Sequence, residues 1–177
     1  MVRTLKDAGC PIGEVNTGGG LGVPQGPGDR PLDVDRWAGI LAEHLGPLDV
    51  VVGTEPGDFL LKESAPLLAE VVSVEERDGV LFAGVNAGWN LVCERFVYHD
   101  TPAIALCRAA DAEPIRRITV SGNINEGPDL FAEDLPFPGV REGDVVAILN
   151  VGSYDQAMYS EHCLRPPAGT VAFTDRA

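Results

Sequence analysis

Two apolar runs, residues 10–15 and 48–52, each break into a glycine-bearing turn, and a helix-like segment lies between them. Their separation is about that of one β/α unit, roughly thirty residues. The first turn reads Asn16-Thr17-Gly18-Gly19-Gly20-Leu21-Gly22-Val23-Pro24. Consecutive glycines have no Cβ to hold a ligand off the backbone, and they tolerate positive φ, so successive N–H groups can converge on an anion such as phosphate. A dinucleotide fingerprint needs G-x-G-x-x-G; starting from Gly18, its last glycine would fall on Val23, so that reading fails. Taken alone, the stretch also fits a flexible connection. The second turn is Gly53-Thr54-Glu55-Pro56-Gly57-Asp58.

The rest of the chain changes character. Asp33 is placed to cap a helix whose apolar positions Val34, Ala38, Leu41 and Leu45 recur every three or four residues; Gly46-Pro47 ends it. The run 48–52 is apolar almost throughout, which predicts a parallel strand buried on both faces. Residues 24–31 read as a loop, 58–64 as a short helix, and 2–8 as the end of a helix. From residue 67 the pattern is β: 67–76 and 80–85 form a hairpin about Arg77-Asp78-Gly79, and further strands are predicted at 103–107, 115–121, 144–149 and 170–173. Parallel β/α units thus give way to an all-β region, which sets a domain boundary near residue 66.

Composition narrows the function. The 177 residues are 45% hydrophobic and can bury a core. A net charge of −14 argues against nucleic acid or an anionic membrane as partner. No run is long enough to span a bilayer and the first residues lack a signal peptide's apolar core, so a cytoplasmic protein is expected. Cys10, Cys93, Cys107 and Cys163 show no metal-type spacing, and neither do His44, His99 and His162. No metal site is predicted, and reduced, mostly buried thiols are.

The two turns, in their order and spacing, resemble the C-terminal half of the pyridoxal-phosphate-dependent decarboxylases of the alanine-racemase-like fold, the group of diaminopimelate and ornithine decarboxylases. That family's GGGLG turn matches Gly18-Gly19-Gly20-Leu21-Gly22, and its EPGR turn matches Glu55-Pro56-Gly57-Asp58. Downstream, residues 121–129 resemble its G-P-x-C-E-S-x-D loop. Residues 150–160, followed by Arg165-Pro166, resemble its A-G-A-Y-x-x-x-M-x-S and N-x-R-P segments, and residues 86–98 more weakly match D-A-G-M-N-x-L-x-R-P-x-x-Y. The resemblance implies the last β/α units of a TIM-like barrel over 1–66 and a β-sandwich or barrel-like domain over 67–177. On that reading the first part of the barrel is absent and the chain is a fragment, or one half of a split enzyme.

The resemblance also implies roles. Pyridoxal phosphate would be held by Gly18, Gly19, Gly20 and Gly57, with Glu55 pairing the ring nitrogen and Tyr154 lying near the phosphate. Glu126 and Asp129 would meet the distal amine of an amino acid substrate across the interface of a homodimer with shared active sites. Three positions depart from the family: Asp58 replaces an arginine, Asn125 replaces the cysteine that assists protonation, and Glu94 replaces a substrate-binding arginine beside Arg95. The family's Schiff-base lysine lies upstream of everything here, and neither Lys6 nor Lys62 matches it. The implied activity is α-decarboxylation of a diamino acid, closest to diaminopimelate in lysine biosynthesis, by the complete enzyme; this chain alone is expected to be inactive. The alternatives are a catalytically inactive, decarboxylase-like binding or regulatory protein, a racemase of the same fold class, and an unrelated β protein.

Overall fold

The computed structural model describes residues 1–26, 28–99 and 101–174, so Pro27 of the predicted 24–31 loop lies outside the described residues. The chain divides into two compact units, Met1–Leu61 and Lys62–Ala177.

The first unit holds α1 (Val2–Asp7), β1 (Glu14–Asn16), α2 (Val34–Leu45), β2 (Val51–Gly53) and α3 (Gly57–Leu61). Strands β1 and β2 pair in parallel, Glu14 with Val51 through Asn16 with Gly53. Helix α2 starts as its sequence dictates: the Asp33 carboxylate accepts the Arg36 N–H at 2.8 Å, satisfying one of the donors that a helix start leaves over. The α-helix ends at Gly46 as expected, but the chain does not pass straight into the strand. Pro47 has no N–H to lose in a first turn, so winding continues as a 3-10 turn over Gly46–Leu48; Asp49 then reverses the chain at φ 50° and β2 begins only at Val51. Nor is the strand buried on both faces, since Val51 is 68% exposed.

The second unit is organised on β3 (Leu67–Arg77), β4 (Val80–Val85), β5 (Ile104–Leu106), β6 (Arg116–Ser121), β7 (Leu130–Phe137) and β8 (Val145–Ile148), with short helices α4 (Glu94–Tyr98) and α5 (Tyr154–Met158). They make one six-stranded mixed sheet in the order β5-β8-β3-β4-β6-β7, so of the sandwich or barrel-like domain expected from sequence it is the single curled sheet, not two stacked ones, that forms. Strand β3 is the hub: its first half pairs antiparallel with β8 and its second half with β4. The β3–β4 hairpin turns at Asp78 (φ 51°) and Gly79 (φ 79°), the two positive values of a type I′ turn, which Asp-Gly accommodates best.

Strand β7 escaped the sequence reading because Glu133, Asp134 and Pro136 interrupt its apolar pattern; it lies at the sheet edge, where a proline's missing N–H is tolerated. Conversely, 170–173 forms no strand despite its apolar residues. The core follows the period-two alternation of the strands: Ala69 and Val71, Leu81, Ala83 and Val85, Ile118 and Val120, Val146 and Ile148, closed by Leu106, Phe131 and Phe137. Of the four thiols only Cys93 is buried; Cys10, Cys107 and Cys163 are exposed and free. Among the described residues no helix is long and apolar enough to cross a membrane.

Candidate functional site

In the first unit the parallel pairing of β1 and β2 brings the two glycine turns side by side. Thr17 N–H donates to the Gly53 carbonyl at 3.0 Å and Glu55 N–H to the Gly18 carbonyl at 2.8 Å. The Asn16 side chain joins both turns: its Oδ1 accepts the Gly18 N–H at 2.7 Å and its Nδ2 donates to Glu55 Oε1 at 2.6 Å. At Gly19 a Cβ would overlap the Glu55 carbonyl, so only glycine lets the two backbones approach this closely. Gly18 and Gly20 adopt positive φ, 72° and 82°, and nothing lies within 4 Å of a Cβ placed at Gly20.

The five residues predicted to hold a cofactor here, Gly18, Gly19, Gly20, Glu55 and Gly57, thus fall in one cluster, but their amides are not equivalent. Gly18 N–H bonds to Asn16 and Gly57 N–H to the Glu55 carbonyl at 2.9 Å. The amides of Gly19 and Gly20 bond to nothing among the described residues. They form the open part of a cradle that suits a phosphate, and the exposed Glu55 carboxylate, oriented by Asn16, suits a protonated ring nitrogen. Asp58, the second residue of α3, is half-buried. Lys6 is committed elsewhere: its ammonium donates to the carbonyls of Leu48 and Asp49 at 2.7 and 2.9 Å.

In the second unit the loop carrying Asn125, Glu126 and Asp129 is fixed from within. Asp129 is 3% exposed, and its two carboxylate oxygens accept N–H groups from Trp89 at 2.8 Å and Ile124 at 2.6 Å. A Cβ at Gly122 would overlap that carboxylate, so glycine is required there too. Burial pushes the Asp129 carboxyl above the usual carboxylate value, against the two N–H bonds, which favour the charged form. Predicted to meet a substrate amine, Asp129 here serves the shape of its loop, and Glu126 is the acid left at the surface. Glu126 Oε1 lies 2.7 Å from His162 Nε2, and the Cys163 thiol donates to Asn125 Oδ1 at 3.5 Å. The His162 ring packs on Trp89 with centroids 4.8 Å apart, and Arg165 donates to the Asn123 carbonyl at 2.9 Å. Sequence reasoning had no means of placing His162, Cys163 and Trp89 at this loop, because 36 or more residues separate Glu126 and Asn125 from their partners.

Tyr154 stands on a separate element, as the first residue of α5, and is 44% exposed. Its backbone N–H donates to Glu94 Oε1 at 3.0 Å. Glu94, the position where the resemblance leads one to expect arginine, is 2% exposed; its other oxygen pairs with the ammonium of Lys62, itself 3% exposed. Below them, burial and then the Asp155 charge push the Cys93 thiol up, and its Sγ lies 3.2 Å from the Met158 carbonyl.

Residues 40–152 match the family described as Pyridoxal-dependent decarboxylase, C-terminal sheet domain. The diaminopimelate decarboxylase of Methanothermobacter thermautotrophicus is 35% identical over 171 residues, covering 93% of this chain and 40% of that relative. That of Escherichia coli K12 is 30% identical over 191 residues, covering 98% and 45%. The crystal structure of diaminopimelate decarboxylase from Helicobacter pylori complexed with L-lysine superimposes with a TM-score of 0.83 at 28% identity, over 93% of this chain and 40% of that one. Lysine/ornithine decarboxylase from Vibrio vulnificus complexed with putrescine has the same fold, with a TM-score of 0.83 at 22% identity, over 97% of this chain and 47% of that one. The chain therefore spans less than half the length of the curated relatives it matches.

Proposed function

The chain belongs to the pyridoxal-dependent decarboxylases, through their C-terminal sheet domain, and on that premise we propose that it is the C-terminal part of an enzyme that removes the α-carboxylate of a diamino acid, most like diaminopimelate decarboxylase. The observation that carries this is the glycine cluster, in which Gly19 abuts the Glu55 carbonyl and leaves the Gly19 and Gly20 amides open beside the Glu55 carboxylate. Pyridoxal phosphate, when bound, supplies the electron sink that lets a carboxylate leave the substrate's α-carbon. The Gly19 and Gly20 N–H groups would hold its phosphate, and Glu55, kept in place by Asn16 Nδ2, would hold a proton on its ring nitrogen. The family resemblance makes Tyr154 a further candidate contact for the cofactor. Asp58 adds no positive charge to the cradle, so this pair of turns would hold a phosphate through its amides; a missing charge-assisted hydrogen bond weakens such a contact by about 1.5–3 kcal/mol.

Glu126, at the surface beside His162, would receive the distal amine of the substrate across a homodimer interface. Asn125 can hydrogen-bond but cannot donate a proton as a thiol would, so the proton returned to the α-carbon would have to come from another donor, such as water. The strands and helix faces of the first unit would pack against the remaining units of a TIM-like barrel encoded upstream, which would also carry the cofactor-bearing lysine; Lys6 and Lys62 are both committed to structural contacts. We place the assembled enzyme in the cytoplasm. The departures at Asn125 and Asp58 favour a second reading, a decarboxylase-shaped protein that binds ligand without turnover.

The test is to assemble the chain with its upstream segment, load pyridoxal phosphate, and measure carbon dioxide release over a panel of diaminopimelate, lysine and ornithine. Release from one of the three supports the enzyme; cofactor binding without release from any moves the assignment to the second reading. If Gly19→Ala leaves cofactor affinity unchanged, the cradle assignment fails.

A further inference from the structure

Helices α4 and α5 meet start to start, and each caps the other. Glu94, first in α4, accepts the N–H of Tyr154, first in α5, at 3.0 Å; Asp155, second in α5, accepts the N–H of Glu94 at 2.8 Å. Both carboxylates are 2% exposed. Two buried negative charges on facing helix starts need a cation in the same enclosure, because an unpaired buried charge is expensive. Lys62 supplies it by pairing with Glu94 Oε2. The same lysine's backbone carbonyl accepts the Gly152 N–H at 3.0 Å, so it grips the chain leading into α5 as well as the acid that caps it.

We propose that Lys62 and Glu94 are a positioning pair that fixes the backbone at Tyr154 and so determines how its ring is presented. Residue 94 is turned into the fold, its charge is cancelled there, and the site takes only the aromatic that this residue anchors. Calling Tyr154 a cofactor contact rests on the function proposed above; the mechanical link from Lys62 through Glu94 to Tyr154 does not.

The decisive experiment labels the assembled protein with 3-fluorotyrosine and identifies the Tyr154 signal by its loss in Tyr154→Phe. Lys62→Met should shift or broaden that signal while leaving those of Tyr98 and Tyr159 in place, and Lys62→Arg should restore it. Should Lys62→Met fail to fold, Glu94→Gln keeps an oxygen for the Tyr154 N–H but drops the charge, and should give a smaller shift of the same signal. A Tyr154 signal that stays put, or one that moves no more than its two neighbours, overturns the proposal. A second arm measures the dissociation constant of pyridoxal phosphate. Lys62→Met should raise it by about tenfold, within the range seen for residues in contact, and should add nothing further in a Tyr154→Ala background. Multiplying effects would mean that Lys62 acts on stability alone and would sink the claim. If the unmutated protein binds no pyridoxal phosphate, the cofactor reading fails by itself and the fluorine signals still decide the positioning pair.

Discussion

Residues 1–61 and 62–177 both present glycine turns at strand ends, yet they bury very different amounts of side chain. Among the described residues the first unit buries one apolar side chain, Leu21, while Ile40, Val51, Leu60 and Leu61 stand exposed. The second unit closes a core that runs from Ala69 to Val151. The reason is geometric. A mixed sheet with antiparallel hairpins can cover one face with its own strands and short helices, whereas two parallel strands of three residues each have open edges on both sides. The region that holds the proposed phosphate cradle is thus the one with the least core of its own. The region that holds Glu126 and Tyr154 is supported by its own core.

Breaking the core should give the largest effect. Phe131→Ala removes a fully buried ring and should destabilise the second unit by about 3–5 kcal/mol in denaturant titration. The glycine cluster should show the reverse pattern. Gly19→Ala puts a methyl group where the Glu55 carbonyl lies, and should weaken pyridoxal phosphate binding by about tenfold or more, roughly 1.4 kcal/mol, without moving the unfolding midpoint of the second unit. An equal loss of stability in both units would erase the contrast drawn above. Asp33→Ala, which deletes the α2 cap, should cost about 1 kcal/mol, read as faster amide exchange confined to the first turns of that helix.

The smallest effect sharpens the comparison through pH. In the second unit Arg108 grips both oxygens of Asp144, at 2.7 and 3.0 Å, and holds that carboxyl below its usual value. A group depressed in the folded state contributes stability above its unfolded value, about 3.9, and loses it as pH falls through the lower folded one. Asp129 has the opposite sign: its raised carboxyl favours the protonated fold, so acidification through the carboxylate range gains stability there. Replacing Asp144 by Asn should therefore remove part of the acid-induced loss of stability, and Asp129→Asn should remove an opposing gain. Paired titrations of the two variants against the parent protein check both signs.

Local chemistry made much of the fold legible. Asp33 before an apolar periodicity predicts the start of α2, Asp78-Gly79 between alternating strands predicts the hairpin, and period-two runs predict β5, β6 and β8. Strand β7 was hidden because Pro136 and its acids obey the rules of an edge, and being an edge depends on which strands lie alongside. The apolar residues of 170–173 misled for the same reason in reverse, since propensity without a partner strand makes no ladder.

The site divides in the same way. The glycine-rich turn could be picked out from the chain alone because backbone freedom belongs to a residue type, whereas Glu55 and the acidic loop were singled out through the family resemblance. That Asp129 is turned inward, that Glu94 caps another helix and that Lys62 neutralises it were decided by contacts between residues 32 to 60 positions apart. A carboxylate carries the same charge on any surface; whether it faces a ligand or a buried ammonium depends on which segments the sheet brings together.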